Sequence, residues 1–189
     1  MLDPDYPLRT ERLLLRPFIA DDLDALYDIH SRPEVARFLY WEPRSREEAL
    51  EALTLKIGQT AIREEGDRLA LAVTPQAGGP MLGEVMVSLA SADHRQGEIG
   101  YIFHPDHGGK GYATEAAREM MRLGFDALGL HRLYGRLEAR NIASARVLER
   151  LGMRREAHLR QNEFVKGEWN DELVYAMLET EWRAAPADR

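Results

Sequence analysis

The stretch that decides the fold is HPDHGGKGYAT, residues 104–114. A strand-like run at 98–103 precedes it, and apolar side chains recur at helical spacing from Ala117 to Leu128 after it. Glycines permit unusual backbone dihedrals and close approach, and the first amides of a helix have no intrahelical partner. These amides and the positive end of the helix dipole favour an anion. The sequence therefore predicts a phosphate-binding turn between a strand and a helix.

Two other phosphate-binding motifs fail at this turn. A Walker A loop needs Ser or Thr after Gly-Lys, but Lys110 is followed by Gly111. A dinucleotide fingerprint that starts at Gly109 needs glycine at position 114, which is Thr114. A glycine-rich connection without a ligand remains the structural alternative, and Lys110 either adds positive charge or faces solvent.

The patterns on both sides of the turn predict one domain of mixed α/β or α+β class, residues 1–189. Ser45 and Glu48 have the spacing of a capping box, and Gly66 is expected to end the helix that they start. Upstream of the turn the predicted elements are strand 11–19, helix 20–31 ended by Pro33, helix 45–65, and strands 68–74, 81–90 and 98–103. Downstream they are strand 132–139, a helix around 145–151, and a hairpin of 153–165 and 172–179 around Lys166-Gly167.

Composition narrows the function classes. The 44% apolar and 30% charged content is ordinary for a globular protein. Apolar runs of about five residues are far short of a membrane span, and the acidic N-terminus does not resemble a secretory signal, so we expect a cytoplasmic location and no membrane partner. The net charge of −7 argues against nucleic-acid binding and is compatible with a cationic amine. The absence of cysteine excludes disulfides, a Cys nucleophile and thiolate zinc sites.

The turn resembles the coenzyme A loop of GNAT superfamily N-acetyltransferases, R/Q-x-x-G-x-G/A. The family often has Arg or Gln at the first slot, where this chain has Gly108, a change that removes no backbone donor. Three further segments are similar to the RimJ/RimL branch, in the same order along the chain: LRTERLLLR at 8–16, LEARNIAS at 137–144 and LERLGM at 148–153. The resemblance covers about residues 8–180.

The resemblance implies a GNAT-like fold and acetyl-CoA as co-substrate. The fold is a mixed seven-stranded sheet, splayed between its fourth and fifth strands and flanked by about four helices. The pantetheine arm lies in the splay, against backbone groups of Tyr101, Ile102 and Phe103 and the side chain of Asn141. The cofactor-binding residues of the turn are then Gly108, Gly109, Lys110, Gly111, Tyr112, Ala113 and Thr114.

The expected reaction is acylation of a primary amine by direct attack in a ternary complex, because no Cys can form a covalent intermediate. Glu163 and Glu98 are the two candidates for the base. Water alone or another residue is the remaining alternative, because a Glu on a strand is usually on a solvated face. Ser144 is the candidate for the general acid. Many GNAT enzymes use a Tyr from the helix after the Asn as the acid, but the corresponding helix after Asn141 has no Tyr. The Ser144–Glu163 spacing is similar to that of an acid–base pair in some RimL-type enzymes. Helix capping is the structural alternative for Ser144 and Asn141.

The acceptor is left open by the sequence. Tyr40 and Trp41 are interpreted either as core residues or as one wall of an acceptor pocket. The RimJ/RimL branch suggests a protein N-terminus, but polyamine, aminoglycoside and amino-acid acceptors, longer acyl donors and a homodimer all remain open. A non-catalytic acyl-CoA sensor is the alternative from another class. His104 and His107 have H-x-x-H spacing without an evident third ligand, so we expect no metal.

Overall fold

The chain folds into one mixed sheet with helices on both faces, in a computed structural model that describes residues 1–185. Within these residues there are eight strands and six α-helices. The strands are β1 (Leu8–Arg9), β2 (Leu13–Arg16), β3 (Arg68–Pro75), β4 (Gly83–Ser91), β5 (Gln96–Phe103), β6 (Arg132–Glu138), β7 (Arg154–Val165) and β8 (Glu168–Leu178). The helices are α1 (Leu23–His30), α2 (Pro33–Ala36), α3 (Arg46–Ile57), α4 (Tyr112–Arg122), α5 (Ile142–Arg150) and α6 (Glu179–Ala184).

The sheet has the order β1-β2-β3-β4-β5-β6-β8-β7, and all neighbours are antiparallel except β5 and β6. These two strands pair in parallel only from Gln96↔Arg132 to Glu98↔Tyr134 and then separate. The splay between the family's fourth and fifth strands is therefore confirmed, and here it lies between β5 and β6. It leaves one edge of β5 without a strand partner from Ile99 to Phe103.

The strand count is eight, so the prediction of seven was wrong. The predicted first strand, 11–19, is shorter than expected, and β1 forms a separate hairpin partner for β2. The hairpin turn is closed by the Thr10 amide, which donates to the Leu13 carbonyl at 3.0 Å. Four helices have eight residues or more, in line with the expected four, and α2 and α6 are short additions.

Helix α3 begins as predicted and ends eight residues earlier than predicted. The capping box is present, because the Glu48 amide donates to Ser45 Oγ at 3.2 Å and the Ser45 amide donates to Glu48 Oε2 at 2.7 Å. The helix ends at Ile57, although helical spacing was expected to continue to residue 65. Instead, the fully buried Ile62 exchanges two backbone hydrogen bonds with Leu2, at 2.7 and 2.8 Å. Tertiary pairing overrides local propensity here.

The core lies on both faces of the sheet. On one face α4 and α5 cover a large apolar cluster that includes Leu69, Met120 and Leu148. On the other face α1 and α3 cover a smaller cluster that includes Leu26 and Ala70. Because side chains alternate along a strand, Leu69 and Ala70 of β3 belong to opposite faces. No helix within residues 1–185 has the length and apolar character needed to cross a membrane.

Candidate active site

The glycine-rich turn joins β5 to α4 with an open helix N-terminus. Gly109 and Gly111 have left-handed backbone dihedrals, with φ of 73° and 82°, a region in which a Cβ is strained. Gly111 is the N-cap of α4, so no side chain caps this helix. Within residues 1–185, the six amides of 109–114 donate to no protein acceptor. The buried hydroxyl of Thr114 also has no partner in this part of the chain.

Residues from the start of the chain hold this turn. The Arg12 guanidinium donates to the Lys110 carbonyl at 3.0 Å and to the Glu115 carboxylate at 2.7 Å. The Thr10 hydroxyl donates to Glu115 at 2.6 Å, and Arg12 lies 4.8 Å above the centre of the Tyr112 ring. Burial opposes ionisation of Glu115, but the bonds from Thr10 and Arg12 outweigh it and lower its pKa. The sequence analysis missed this clamp, because its members are about a hundred positions apart.

The turn fits a diphosphate. Its donors are backbone amides at the positive end of a helix dipole, which is the usual chemistry of protein phosphate sites. The one acidic side chain in the first turn of α4, Glu115, is paired with Arg12. Lys110 is exposed, and its ammonium donates to the Asp106 carbonyl at 3.3 Å. The unpaired Thr114 hydroxyl supplies a further donor.

A cavity of about 500 Å³ lies where β5 and β6 separate, and residues from both faces of the sheet line it. On the α4 and α5 face its lining includes Asn141, Ser144 and Leu148. On the α1 and α3 face the lining includes Tyr40, Trp41, His30, Arg44, Lys56 and Glu84. The cavity therefore passes through the sheet, so two substrates can meet in the splay from opposite faces.

Tyr101 and Ser144 meet in this cavity. The Tyr101 hydroxyl lies 2.9 Å from the Ser144 carbonyl oxygen and 2.9 Å from Ser144 Oγ. Burial raises the pKa of Tyr101 above the ordinary tyrosine value, so the hydroxyl is protonated at neutral pH. Asn141 caps α5, because its Oδ1 accepts from the Ser144 amide at 3.1 Å. The helix-capping role that was the structural alternative for Asn141 is therefore present. The sequence analysis named Tyr101 for its backbone and missed its hydroxyl.

Arg136 links two carboxylates beside the cavity. Its Nε donates to Glu98 at 3.1 Å, and one terminal nitrogen lies 3.4 Å from Glu172. Burial alone lowers the pKa of Arg136, but the contacts with Glu98 and Glu172 raise it. Burial, followed by the charge of Glu163, raises the pKa of Glu172, which the sequence analysis did not single out. Glu98 lines the cavity and is ion-paired there with Arg136.

Glu163 lies beside the main cavity, in a depression of about 90 Å³ next to it. The Tyr40 hydroxyl donates to its carboxylate, with distances of 2.9 and 2.8 Å to the two oxygens. Burial and this bond raise the pKa of Tyr40 to about 12. Tyr40 lines both the depression and the main cavity, so the hydrogen-bond partner of Glu163 borders the space in the splay.

A buried polar chain forms the far wall of the cavity. His30 Nε2 lies 3.0 Å from one oxygen of Glu84, and Lys56 Nζ lies 2.7 Å from the other. Burial opposes ionisation of Glu84, but Lys56 and His30 outweigh it and lower its pKa to about 2. On the other side of the ring, an Arg44 nitrogen lies 3.1 Å from His30 Nδ1, and its guanidinium lies 4.4 Å from the centre of the Trp41 ring.

Comparison with known proteins identifies the family. Residues 12–154, about three quarters of the chain, match the family described as "Acetyltransferase (GNAT) domain". The chain belongs to the GNAT acetyltransferase family. Uncharacterized N-acetyltransferase YnaD of Bacillus subtilis is 31% identical over 93% of this chain and 98% of its own. A GNAT-family acetyltransferase structure from Bacillus anthracis aligns with a TM-score of 0.83 at 29% identity, over 96% of this chain and all of its own.

A third relative has a bound coenzyme. The structure of spermidine N-acetyltransferase from Vibrio cholerae, in complex with CoA and spermine, aligns with a TM-score of 0.77 at 22% identity, over 92% of this chain and 99% of its own. At 22% identity, this structural similarity shows a common fold and no more. GNAT acetyltransferases use acetyl-CoA, and membership of this family makes the chain an acetyltransferase.

The cavity brings together seven of the sixteen predicted site residues of this GNAT chain. The predicted residues that line it are Glu98, Tyr101, Ile102, Asn141, Ser144, Tyr40 and Trp41. Phe103 is outside the lining and packs against the α4 and α5 core cluster, facing Gly83 of β4. His104 is used structurally, since its Nε2 lies 3.1 Å from Asp28 and its Nδ1 accepts from the Asp106 amide. The roles assigned to these residues stay predictions.

Proposed function

We propose that the chain transfers the acetyl group of acetyl-CoA to a primary amine by direct attack in a ternary complex. The observation that carries this proposal is that β5, which lines the cavity in the splay, leads through the glycine-rich turn into the open N-terminus of α4. The amides of 109–114 would bind the pyrophosphate, and the free edge of β5 would bind the pantetheine arm through its backbone. Such positioning of both reactants supplies much of the rate enhancement.

The chemistry needs a base, an oxyanion contact and an acid. The amine nitrogen attacks the thioester carbonyl carbon, a C–N bond forms, and the C–S bond breaks. The amine proton leaves through water to Glu163, which Tyr40 holds at the edge of the site. A backbone amide of β5 near Ile102 stabilises the oxyanion. The thiolate takes its proton from the pair of hydroxyls formed by Tyr101 and Ser144.

Glu98 is the weaker candidate for the base. Its carboxylate is ion-paired with Arg136 at 3.1 Å, and accepting a proton would weaken that pair. Glu163 accepts from the neutral hydroxyl of Tyr40 and has no ion pair within 4.0 Å among residues 1–185. This difference supports Glu163 as the base acting through water.

A thiol-release assay tests the proposal. Purified protein is given acetyl-, succinyl- or malonyl-CoA with panels of peptides, polyamines, aminoglycosides and amino acids. We expect thiol release that depends on acetyl-CoA and on one class of amine. Peptides are included because the RimJ/RimL resemblance suggests a protein N-terminus. Calorimetry with CoA is the companion measurement. Absence of any heat of binding would contradict the proposal at its first step, and binding without turnover would favour an acyl-CoA sensor.

A further inference from the structure

The charges that line the cavity do not cancel. Two of its cations have carboxylate partners, because Lys56 lies 2.7 Å from Glu84, and Arg136 lies 3.1 Å from Glu98 and 3.4 Å from Glu172. The other two charged side chains of the lining are Arg44 and Arg68. Within residues 1–185, no carboxylate lies within 4.0 Å of either guanidinium. The cavity of a chain with a net charge of −7 therefore holds two guanidinium groups that no carboxylate of the described residues pairs with.

The unpaired arginines lie on the face opposite the phosphate-binding turn. Arg68 precedes Leu69 in β3, so it shares its face with Ala70, which packs in the α1 and α3 cluster. The Arg44 amide donates to the carbonyl of His30, the last residue of α1, at 3.1 Å. Helix α4 and its open N-terminus pack on the other face. CoA phosphates bound at α4 would leave both guanidinium groups available to the second substrate.

Contacts with His30 and Trp41 order the Arg44 side chain before any anion binds. A guanidinium has donors and no acceptor, so His30 Nδ1 accepts from Arg44 and His30 Nε2 donates to Glu84. The Trp41 ring supports the guanidinium from one side at 4.4 Å. The remaining N–H groups form a planar fork, which matches a carboxylate or phosphate. A side chain ordered in this way before binding loses little entropy when an anion arrives.

From these contacts we infer that the acceptor is a small primary amine that also carries an anionic group, a carboxylate or a phosphate. The inference rests on the proposed acetyl transfer. The acceptor-side lining also has an aromatic and aliphatic part, which includes Phe38, Leu39, Trp41, Leu55 and Met86. It fits an apolar body between the amine and the anion, as in an apolar α-amino acid. A polycation such as spermidine meets two uncompensated positive charges there.

Matched acceptors test the inference through turnover. Leucine, methionine and phenylalanine are compared with their amides, which keep the amine and lose the carboxylate. The corresponding 1-aminoalkylphosphonates and spermidine complete the panel. We expect kcat/KM to be at least about tenfold higher for the anionic member of each pair, with spermidine the poorest acceptor. The carboxylate and phosphonate arms identify which anion is preferred. Acetylation of amides or spermidine at equal or higher efficiency overturns the inference and leaves acetyl transfer standing.

Binding provides a readout that does not depend on turnover. CoA-saturated protein is titrated with N-acetyl-leucine and with N-acetyl-leucinamide, and we expect the acid to bind at least about fivefold more tightly. Arg44→Gln and Arg68→Gln should each reduce this ratio toward one. Arg46→Gln is the control, because Arg46 lies outside the lining and pairs with Asp24 at 2.6 Å. Arg68 is exposed at the start of β3, so we expect Arg68→Gln to fold. It therefore tests the inference even if Arg44→Gln does not fold. An unchanged ratio in both variants, or equal binding by wild type, overturns the inference.

Discussion

The hydroxyl of Tyr101 on β5 lies 2.9 Å from Oγ of Ser144 on α5, in the cavity where β5 and β6 separate. Many GNAT enzymes place a tyrosine in the helix that carries Ser144, and this chain has none there. In this chain a tyrosine from β5 contacts Ser144 of that helix. Two hydroxyls thus share one hydrogen bond at the point where the sequence analysis expected a single acid.

Tyr101→Phe and Ser144→Ala should each lower kcat by about 10²-fold, because each removes a member of the proposed proton-donating pair. The kcat of the double variant should be at most about threefold lower than that of the less active single variant, because both hydroxyls serve one proton transfer. Steady-state kinetics with saturating acetyl-CoA measure this. Tyr175→Phe is the control, as it removes a buried hydroxyl that is bonded to Glu149 outside the cavity. Full additivity of the two losses would show that the hydroxyls act separately.

Gly111→Ala should weaken CoA binding by about tenfold, because a Cβ at φ of 82° strains the N-cap and lies 3.3 Å from the Arg12 clamp. Calorimetry measures the affinity. Gly129→Ala places the same group at φ of 70°, with no atom within 4 Å of the new Cβ. Both variants should lose about 1–2 kcal/mol of stability, and only the first should lose affinity for CoA. Equal CoA affinity in the two variants would count against the turn as the diphosphate site.

Glu163→Gln should lower kcat by about 10²-fold with unchanged CoA affinity, because the amide cannot accept the amine proton. Glu98→Gln should lower kcat by less than about tenfold, since Glu98 is paired with Arg136. Rapid-mixing measurement of thiol release separates chemistry from product release. A greater loss in Glu98→Gln than in Glu163→Gln would transfer the role of base to Glu98.

Acid should destabilise the protein through Glu84. Its pKa is about 2 in the folded chain, against an ordinary value of 4.5, so the folded state binds this proton less readily than the unfolded state. The stability that Glu84 contributes is therefore complete above about pH 4.5 and is lost as the pH falls toward 2. Urea unfolding at intervals through this window measures it.

Glu84→Gln should flatten this dependence, and the exposed Glu47→Gln should leave it unchanged. Lys56→Met leaves the buried carboxylate without its cation and should cost about 3–5 kcal/mol at pH 7. A wild-type profile as flat as that of Glu84→Gln would contradict the assigned ionisation of Glu84.

Local features of the molecule could be predicted from the sequence, because residues close along the chain determine them. The capping box of Ser45 and Glu48 spans three positions, and the Lys166-Gly167 turn needs only two left-handed residues. The glycines of the phosphate-binding turn are equally local. Each feature depends on backbone sterics and on hydrogen bonds between neighbours, so it is present wherever that short pattern occurs.

Only the tertiary structure decided which side chains meet. Arg12 and Glu115 are 103 positions apart, Tyr40 and Glu163 are 123 apart, and His30 and Glu84 are 54 apart. The early end of α3 has the same origin, since the pairing of Ile62 with Leu2 competes with helical propensity. Strand register and the separation of β5 from β6 set these encounters, and both follow from packing over the whole chain. The sequence alone determined the glycine-rich turn with its open helix N-terminus, and the tertiary structure decided which charged side chains line the cavity in the splay.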